Sequence, residues 1–419
     1  MKLKLAVELG GVWIASVAVA SAATFFITST GDEPDANPGD GMCQTALTNC
    51  TLRAAIQEAN AQGGTNSINA QTFGPANTID LTQDLPPLLH PVVVDGFVTG
   101  TRRLEINGHG FAGLDVRGGN STIRRWVINR CSTAVALRDK GHNTVDFCLI
   151  GTDTNGTVAL LNTGDGILLV DSPNNRIGGE FAEAYNVISG NLGNGIHLTG
   201  GSSNTTIRGN LIGLNGAGNG ALGNAGHGIH IADGGRANTI SGLASTNVIS
   251  GNGGHGILIE GVSQRFNLIS RCLIGTDVSG TLDLGNTLSG VRLSSAANNT
   301  LTKNVVSGNG TGVEIVGPTA TLNQVIDNWI GTDMSGTLQL GNDTDGVGID
   351  DDASGNFIGN ENVIAFNGEA GVHLFSGTNN LVRGNVHSNG GLGIDLGPAG
   401  VTANDMDCEP PSRAGGFPR

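Results

Sequence analysis

Residues 186–213 read NVISGNLGNGIHLTGGSSNTTIRGNLIG, and this stretch decides the fold. It holds short β-prone runs, Asn186-Val-Ile-Ser, Gly195-Ile-His-Leu, Thr205-Thr-Ile-Arg and Asn210-Leu-Ile-Gly, each closed by a Gly/Asn turn. Inside a run apolar and polar residues alternate. Ile196 should point inward, His197 outward and Leu198 inward, which is the period-two pattern of a strand.

The same letters return along the chain. The Ile-Gly pair recurs at Ile150, Ile212, Ile274 and Ile330, at spacings of 62, 62 and 56 residues. The Asn-Val run recurs at Asn186, Asn247, Asn304 and Asn362, and the glycine that opens the Ile-His-Leu-type strand at Gly166, Gly228, Gly290 and Gly346. Each unit of about 60 residues reads as two coils of three strands; Gly166-Ile-Leu-Leu-Val, Asn175-Arg-Ile-Gly and Asn186-Val-Ile-Ser form one of them. Repetition of this kind predicts a solenoid of stacked coils. Asn191, Asn252, Asn309 and Asn367 hold one turn in successive units. There an amide can bond up and down the stack and tolerate a left-handed backbone. Cys131, Cys148 and Cys272 fall at such asparagine positions, so they read as buried thiols without redox or metal work.

Composition supports an elongated body. Glycine supplies 69 of 419 residues and aromatics 4%, which suits narrow aliphatic stacks better than a globular core. The net charge of −15 argues against nucleic acid as a partner, since phosphate contacts need clustered Lys and Arg. Lys2 and Lys4, an apolar run from Leu5 to Ala20 and the small residues Ala20-Ser21-Ala22 predict a signal peptide over 1–22. No later segment has the ~18 apolar residues of a transmembrane span. Secretion or display at the cell surface is therefore expected, and a Cys43–Cys50 disulfide fits an oxidising compartment. Residues 23–87 read as an N-terminal cap. Its one helix, Thr51–Ala61, carries Leu52, Ala55, Ile56 and Ala59 on one face and stops at Gly63-Gly64. Residues 88–397 read as about ten coils, and 398–419 as an irregular tail.

The segment Cys50-Thr-Leu-Arg-Ala-Ala-Ile-Gln-Glu-Ala-Asn resembles the N-terminal C-S-L-R-E-A motif of a family of secreted bacterial β-helix proteins, with Thr51 for the serine and Ala54 for the glutamate. The I-G-T-D-x-x-G-T loops at Ile150, Ile274 and Ile330, and Leu392-Gly-Ile-Asp-Leu-Gly ahead of Gly400-Val-Thr-Ala-Asn-Asp, resemble the same family. The likeness implies an all-β fold, a single-stranded right-handed parallel β-helix of pectate-lyase-like architecture with an N-terminal capping helix. It implies no agreed activity.

Candidate chemistry is sparse. Residues 101–148 carry seven arginines and Lys140 against Glu105, Asp115, Asp139 and Asp146. A polysaccharide lyase needs a base beside a neutralised uronate carboxylate, so Asp115, Arg117, Arg124 and Lys140 are the catalytic set if that face works on an anionic glycan. The Gly-His-Gly triplets at Gly108, Gly226 and Gly254 lack the companions of a polygalacturonase; two of them fall at a turn that should accept any residue. His197, His230 and His373 share an outward column, with His197 and His230 stacked, but two imidazoles make no zinc site. Asp343, Asp345, Asp350, Asp351 and Asp352 are clustered oxygen ligands that could take Ca²⁺. The Asp153, Asp277 and Asp333 of the I-G-T-D loops read as turn formers. Trp126, Trp329 and Tyr185 are too scattered in sequence to make a sugar-stacking stripe. The reading that results is a secreted or cell-surface scaffold, adhesin-like and non-catalytic, that meets polysaccharide or cell-surface components. A carbohydrate-active enzyme on the 101–148 face is the alternative.

Overall fold

The computed structural model describes residues 22–71, 77–99, 102–179, 185–242 and 245–397. The signal peptide expected over 1–22, apart from Ala22, and the 398–419 tail lie outside the described residues.

Each turn of the chain visits three parallel sheets in succession. Ile167–Val170 lies in one sheet, Arg176–Ile177 in the next and Asn186–Ile188 in the third, before Ile196–Thr199 returns to pair with Ile167–Val170. The first sheet has 13 strands, from Thr24–Ile27 to Leu381–Arg383. The second has 13, from Thr78–Asp80 to Val386–Ser388, counting the side strand Phe97–Thr99. The third has 11, from Leu114–Val116 to Ile394–Leu396. At about 4.8 Å between neighbours the third sheet runs for about 50 Å. Sheet pairing begins ahead of Leu88, because Thr24–Ile27 and Asn66–Ala70 already form the start of the first sheet.

Strict register makes the core. Ile150, Ile188, Ile212, Ile249 and Ile274 stack in the second sheet, each fully buried and directly opposite the next. Ile177, Ile207, Ile240 and Ile269 do the same in the first. Each such side chain contributes roughly 1.5–3 kcal/mol by leaving water.

Asparagine ladders hold the corners. In one, the Asn191 side-chain N–H donates to Asn224 Oδ1, Asn224 to Asn252, Asn252 to Asn286 and Asn286 to Asn309, at 2.6–2.9 Å. Each Oδ1 also accepts the backbone N–H of the preceding ladder residue, as Asn224 does from Asn191. A second ladder runs through Asn186, Asn210, Asn247, Cys272, Asn304, Asn328 and Asn362. Cys131 and Cys148 head the two ladders, their backbone N–H groups donating to Asn162 and Asn186. Burial pushes all three thiols up to about 12, so they are inert at neutral pH.

The helix spans Leu52–Gln62. Thr51 caps it by accepting the Ala54 N–H, and Gly63 ends it at φ 66°. Its buried face packs Leu52, Ala55, Ile56 and Ala59 into the end of the core. Arg53 is buried too, bonded to Asp32 at 2.8 Å and to the carbonyls of Asp84 and Gln83. Cys43 and Cys50 form a disulfide beside the helix start.

Candidate functional site

The third sheet presents the richest outer face. Its outward column in register order is Asp115, Ala136, Leu168, His197, His230, Leu258, Arg292, Glu314, Gly348, His373 and Asp395. His197 and His230 stack with centroids 4.7 Å apart and planes 6° apart. His197 Nδ1 meets Asp165 Oδ2 at 3.0 Å, and His230 Nε2 meets Glu260 Oε1 at 2.8 Å. Burial tends to raise the Asp165 carboxyl, but the His197 hydrogen bond and the Asn194 N–H groups bring it below the usual carboxylate range.

Two further histidines join this pair, and they correct the expectation that their turn accepts any residue. His227 lies edge-on to His230 and stacks on His255 at 5.2 Å. His227 Nδ1 accepts the His255 backbone N–H, and His255 Nδ1 accepts that of Ser289. Two of the Gly-His-Gly triplets thus add His227 and His255 to the pair, completing a four-imidazole cluster. Burial first, then neighbouring positive charge, lowers both His227 and His255 to about 4. His109 of the third triplet stands apart, exposed beside Asp80 at 2.8 Å.

The basic set divides between faces. Asp115 and Arg117 lie on the third sheet, bonded to each other at 2.9 Å, and Arg138 Nε approaches Asp115 at 3.4 Å. Arg124 lies on the first sheet, where it and Arg125 both bind Asp95. Arg130 faces Glu105 at 3.8 Å. Lys140 sits in the turn between those sheets, its carbonyl taken by Asn143 and Ser172. Four residues proposed for one groove therefore belong to three separate places, and the arginines are already neutralised.

The five aspartates do not converge either. Asp343 and Asp345 precede the strand Val347–Asp350, Asp350 ends it, and Asp351 and Asp352 follow. Asp345 is buried against His373, Nδ1 to Oδ2 3.2 Å, and burial raises its carboxyl despite the Ala370 N–H. Asp350 accepts from the Asp351 N–H and Ser376 Oγ, while Asp351 and Asp352 form an exposed left-handed turn. Among the described residues no three carboxylate, imidazole or thiol groups come together to hold a metal ion. The loop aspartates act as turn formers: Asp333 Oδ1 accepts the N–H groups of Thr337 and Leu338, which outweigh desolvation and bring it to about 2.

The second sheet has an apolar outer face. Val127, Leu149, Val187, Leu211, Val248, Leu273 and Val305 line up in register under the I-G-T-D loops. Two cavities of about 360 and 390 Å³ open between those loops. Trp329 lines the first and Tyr185 the second, and the two share Thr246 and Val278. The aromatic residues that look scattered in sequence are thus brought to one groove, except Trp126, which is buried with its Nε1–H on the Val94 carbonyl. Only the coil register reveals this.

Three parallel sheets, aliphatic stacks and asparagine corners define a β-helix. Residues 92–244 and 223–404 match the model of the right-handed beta helix region, so the chain belongs to that family and the helix is right-handed. No curated protein matches the chain in sequence. The A-module of the mannuronan C-5 epimerase AlgE4 of Azotobacter vinelandii has a similar structure, with a TM-score of 0.50 and 17% identity over 86% of this chain and 96% of that one. So has the catalytic domain of a GH87 α-1,3-glucanase solved with nigerose, with a TM-score of 0.51 and 12% identity over 83% of this chain and 66% of that one. At such identities the likeness is one of fold. Among the described residues no helix is long and apolar enough to cross a membrane.

Proposed function

We propose that the protein is an exported β-helix scaffold of the extracellular space or cell surface, which holds polysaccharide or surface components along its faces without turning them over. One observation carries this reading: Arg117 and Arg138 share Asp115 on one sheet while Arg124 and Arg125 share Asp95 on another, so the arginines proposed for one catalytic groove neither converge nor stand free. The charged N-terminus with its apolar run and Ala20-Ser21-Ala22 supports export, as does the Cys43–Cys50 disulfide. The likeness of Cys50–Asn60 to the C-S-L-R-E-A motif points the same way.

The test is to incubate the purified mature protein with acidic and neutral polysaccharides, with and without Ca²⁺, recording new reducing ends and unsaturated uronates. Neither product should appear. Turnover would overturn the scaffold.

A second reading rests on Asp165, His197 and His230. A carboxylate-oriented imidazole stacked on another imidazole can move a proton, which suits a carbohydrate-active enzyme. The structurally similar proteins above include an epimerase and a glucanase. On this reading any turnover found in the same assay should vanish in His197→Ala, and should survive Arg117→Ala.

A further inference from the structure

We propose that the groove over the second sheet is a binding site for a linear, carboxylate-bearing polysaccharide. This rests on the scaffold reading and names its ligand. The floor is the apolar strip of Leu273 and Val305, continued by Trp329 at the same register position. Arg271 and Lys303 stand two residues ahead of Leu273 and Val305 at the same corner of consecutive coils, so their backbones are about 4.8 Å apart. Both are exposed, and among the described residues neither has a carboxylate within ion-pairing distance. The arginines of the 101–148 face described above are paired, and the chain as a whole carries −15.

Two of the acidic groups near the groove are tied to their own loops. Asp277 and Asp333, in the loops that roof it, spend their oxygens on their own loops: Asp277 on Thr281, Leu282 and Ser279, and Asp333 on Thr337, Leu338 and Ser335. Asp327 occupies the next corner after Lys303 and ends the positive stretch.

The chemistry selects among anionic polymers. An extended peptide would need an open sheet edge, whereas the backbone N–H and C=O groups beneath this groove already pair with neighbouring coils. A nucleic acid needs a denser row of cations than two. A sugar chain has apolar ring faces for Trp329 and Leu273, hydroxyls for Thr246 and Ser279, and carboxylates for Arg271 and Lys303.

The test is calorimetric titration of the full mature chain with defined oligogalacturonate and with a neutral cello-oligosaccharide of equal length, product analysis being run on the same samples. Arg271 and Lys303 have φ of 55° and 59°, so the double variant Arg271→Asn/Lys303→Asn removes both charges with a residue that accepts this backbone. Trp329→Leu keeps the strand apolar. Oligogalacturonate should bind at least tenfold more weakly to either variant, with melting temperatures unchanged, while Arg117→Ala leaves binding as it was. Products appearing alongside groove-dependent binding would overturn the scaffold and keep the groove. Unchanged affinity in both variants, equal affinity for the neutral oligomer, or no binding by the parent would each overturn the groove.

Discussion

At the scale of single residues, His255 shows how a column of surface positions acquires structural weight. Its Nδ1 holds the Ser289 N–H, and its own N–H is held by His227 Nδ1. Protonating either ring at Nδ1 breaks a backbone hydrogen bond inside the cluster. Both groups lie at about 4 in the fold against about 6.5 in an unfolded chain. The unfolded state therefore binds more protons between those values. Stability is full above pH 6.5, falls as pH drops toward 4, and flattens below. The loss is at most about 3 kcal/mol for each ring, and less for His227, which keeps some access to water. Urea titrations at pH 7 and pH 4.5 should show that His227→Gln/His255→Gln loses less stability on acidification than the parent. Equal losses would remove the histidines from the acid response. The sequence showed the alternation of Ile196, His197 and Leu198 plainly, because period two is local. It hid the meeting of His227 with His255, which depends on the length of one whole coil.

At the scale of the element, the ladders test whether polar corners or apolar stacks fix the register. Asparagine recurs so regularly that the ladders were legible from spacing alone, and so were the three cysteines that replace it. The groove was not legible, since Tyr185 and Trp329 reach neighbouring cavities of one face through the coil register rather than through any local pattern. Cys272 is the ladder's weak rung. Asn247 donates its side-chain N–H groups to the Ile207 and Ser241 carbonyls at 2.9 and 3.1 Å but meets only a sulfur at 3.9 Å on the next rung, and Cys272 donates its thiol to the Ser270 and Ile240 carbonyls at 3.4 and 3.6 Å. An amide there would accept from Asn247 and donate to Asn304, as Asn328 does to Asn362. One regained hydrogen bond is worth about 1 kcal/mol. Cys272→Asn should therefore melt about 2 °C above the parent, with Cys272→Ala below it, when followed by circular dichroism. A melting point for Cys272→Asn at or below that of Cys272→Ala would mean that volume, not the amide, governs this corner.

At the scale of the whole molecule, a solenoid whose coils touch only their neighbours should tolerate loss of a complete unit. Deleting residues 166–227 joins Asp165 to Gly228 and removes two coils, from one repeated glycine to the next. Every column then closes in phase. Val135 meets Ile229 in the third sheet, Val145 meets Ile240 in the first and Ile150 meets Ile249 in the second, each replacing a like residue. Cys148 would donate to Asn247, and Asn162 to Asn252, keeping both ladders continuous. The long loops at Thr152–Ala159 and Thr276–Asp283 would still fall on alternate coils. The shortened chain should keep a β-sheet spectrum and a cooperative melt, and small-angle scattering should find it about 10 Å shorter. It should also keep the first cavity with Arg271, Lys303 and Trp329 while losing Tyr185, Leu211, Gly216 and Ala217 from the second, so oligogalacturonate affinity should fall by less than it does in Trp329→Leu. An unfolded product would show that the histidine cluster, from which this deletion removes His197 and His227, stabilises more than its own coils and that the stack is not a sum of equal units.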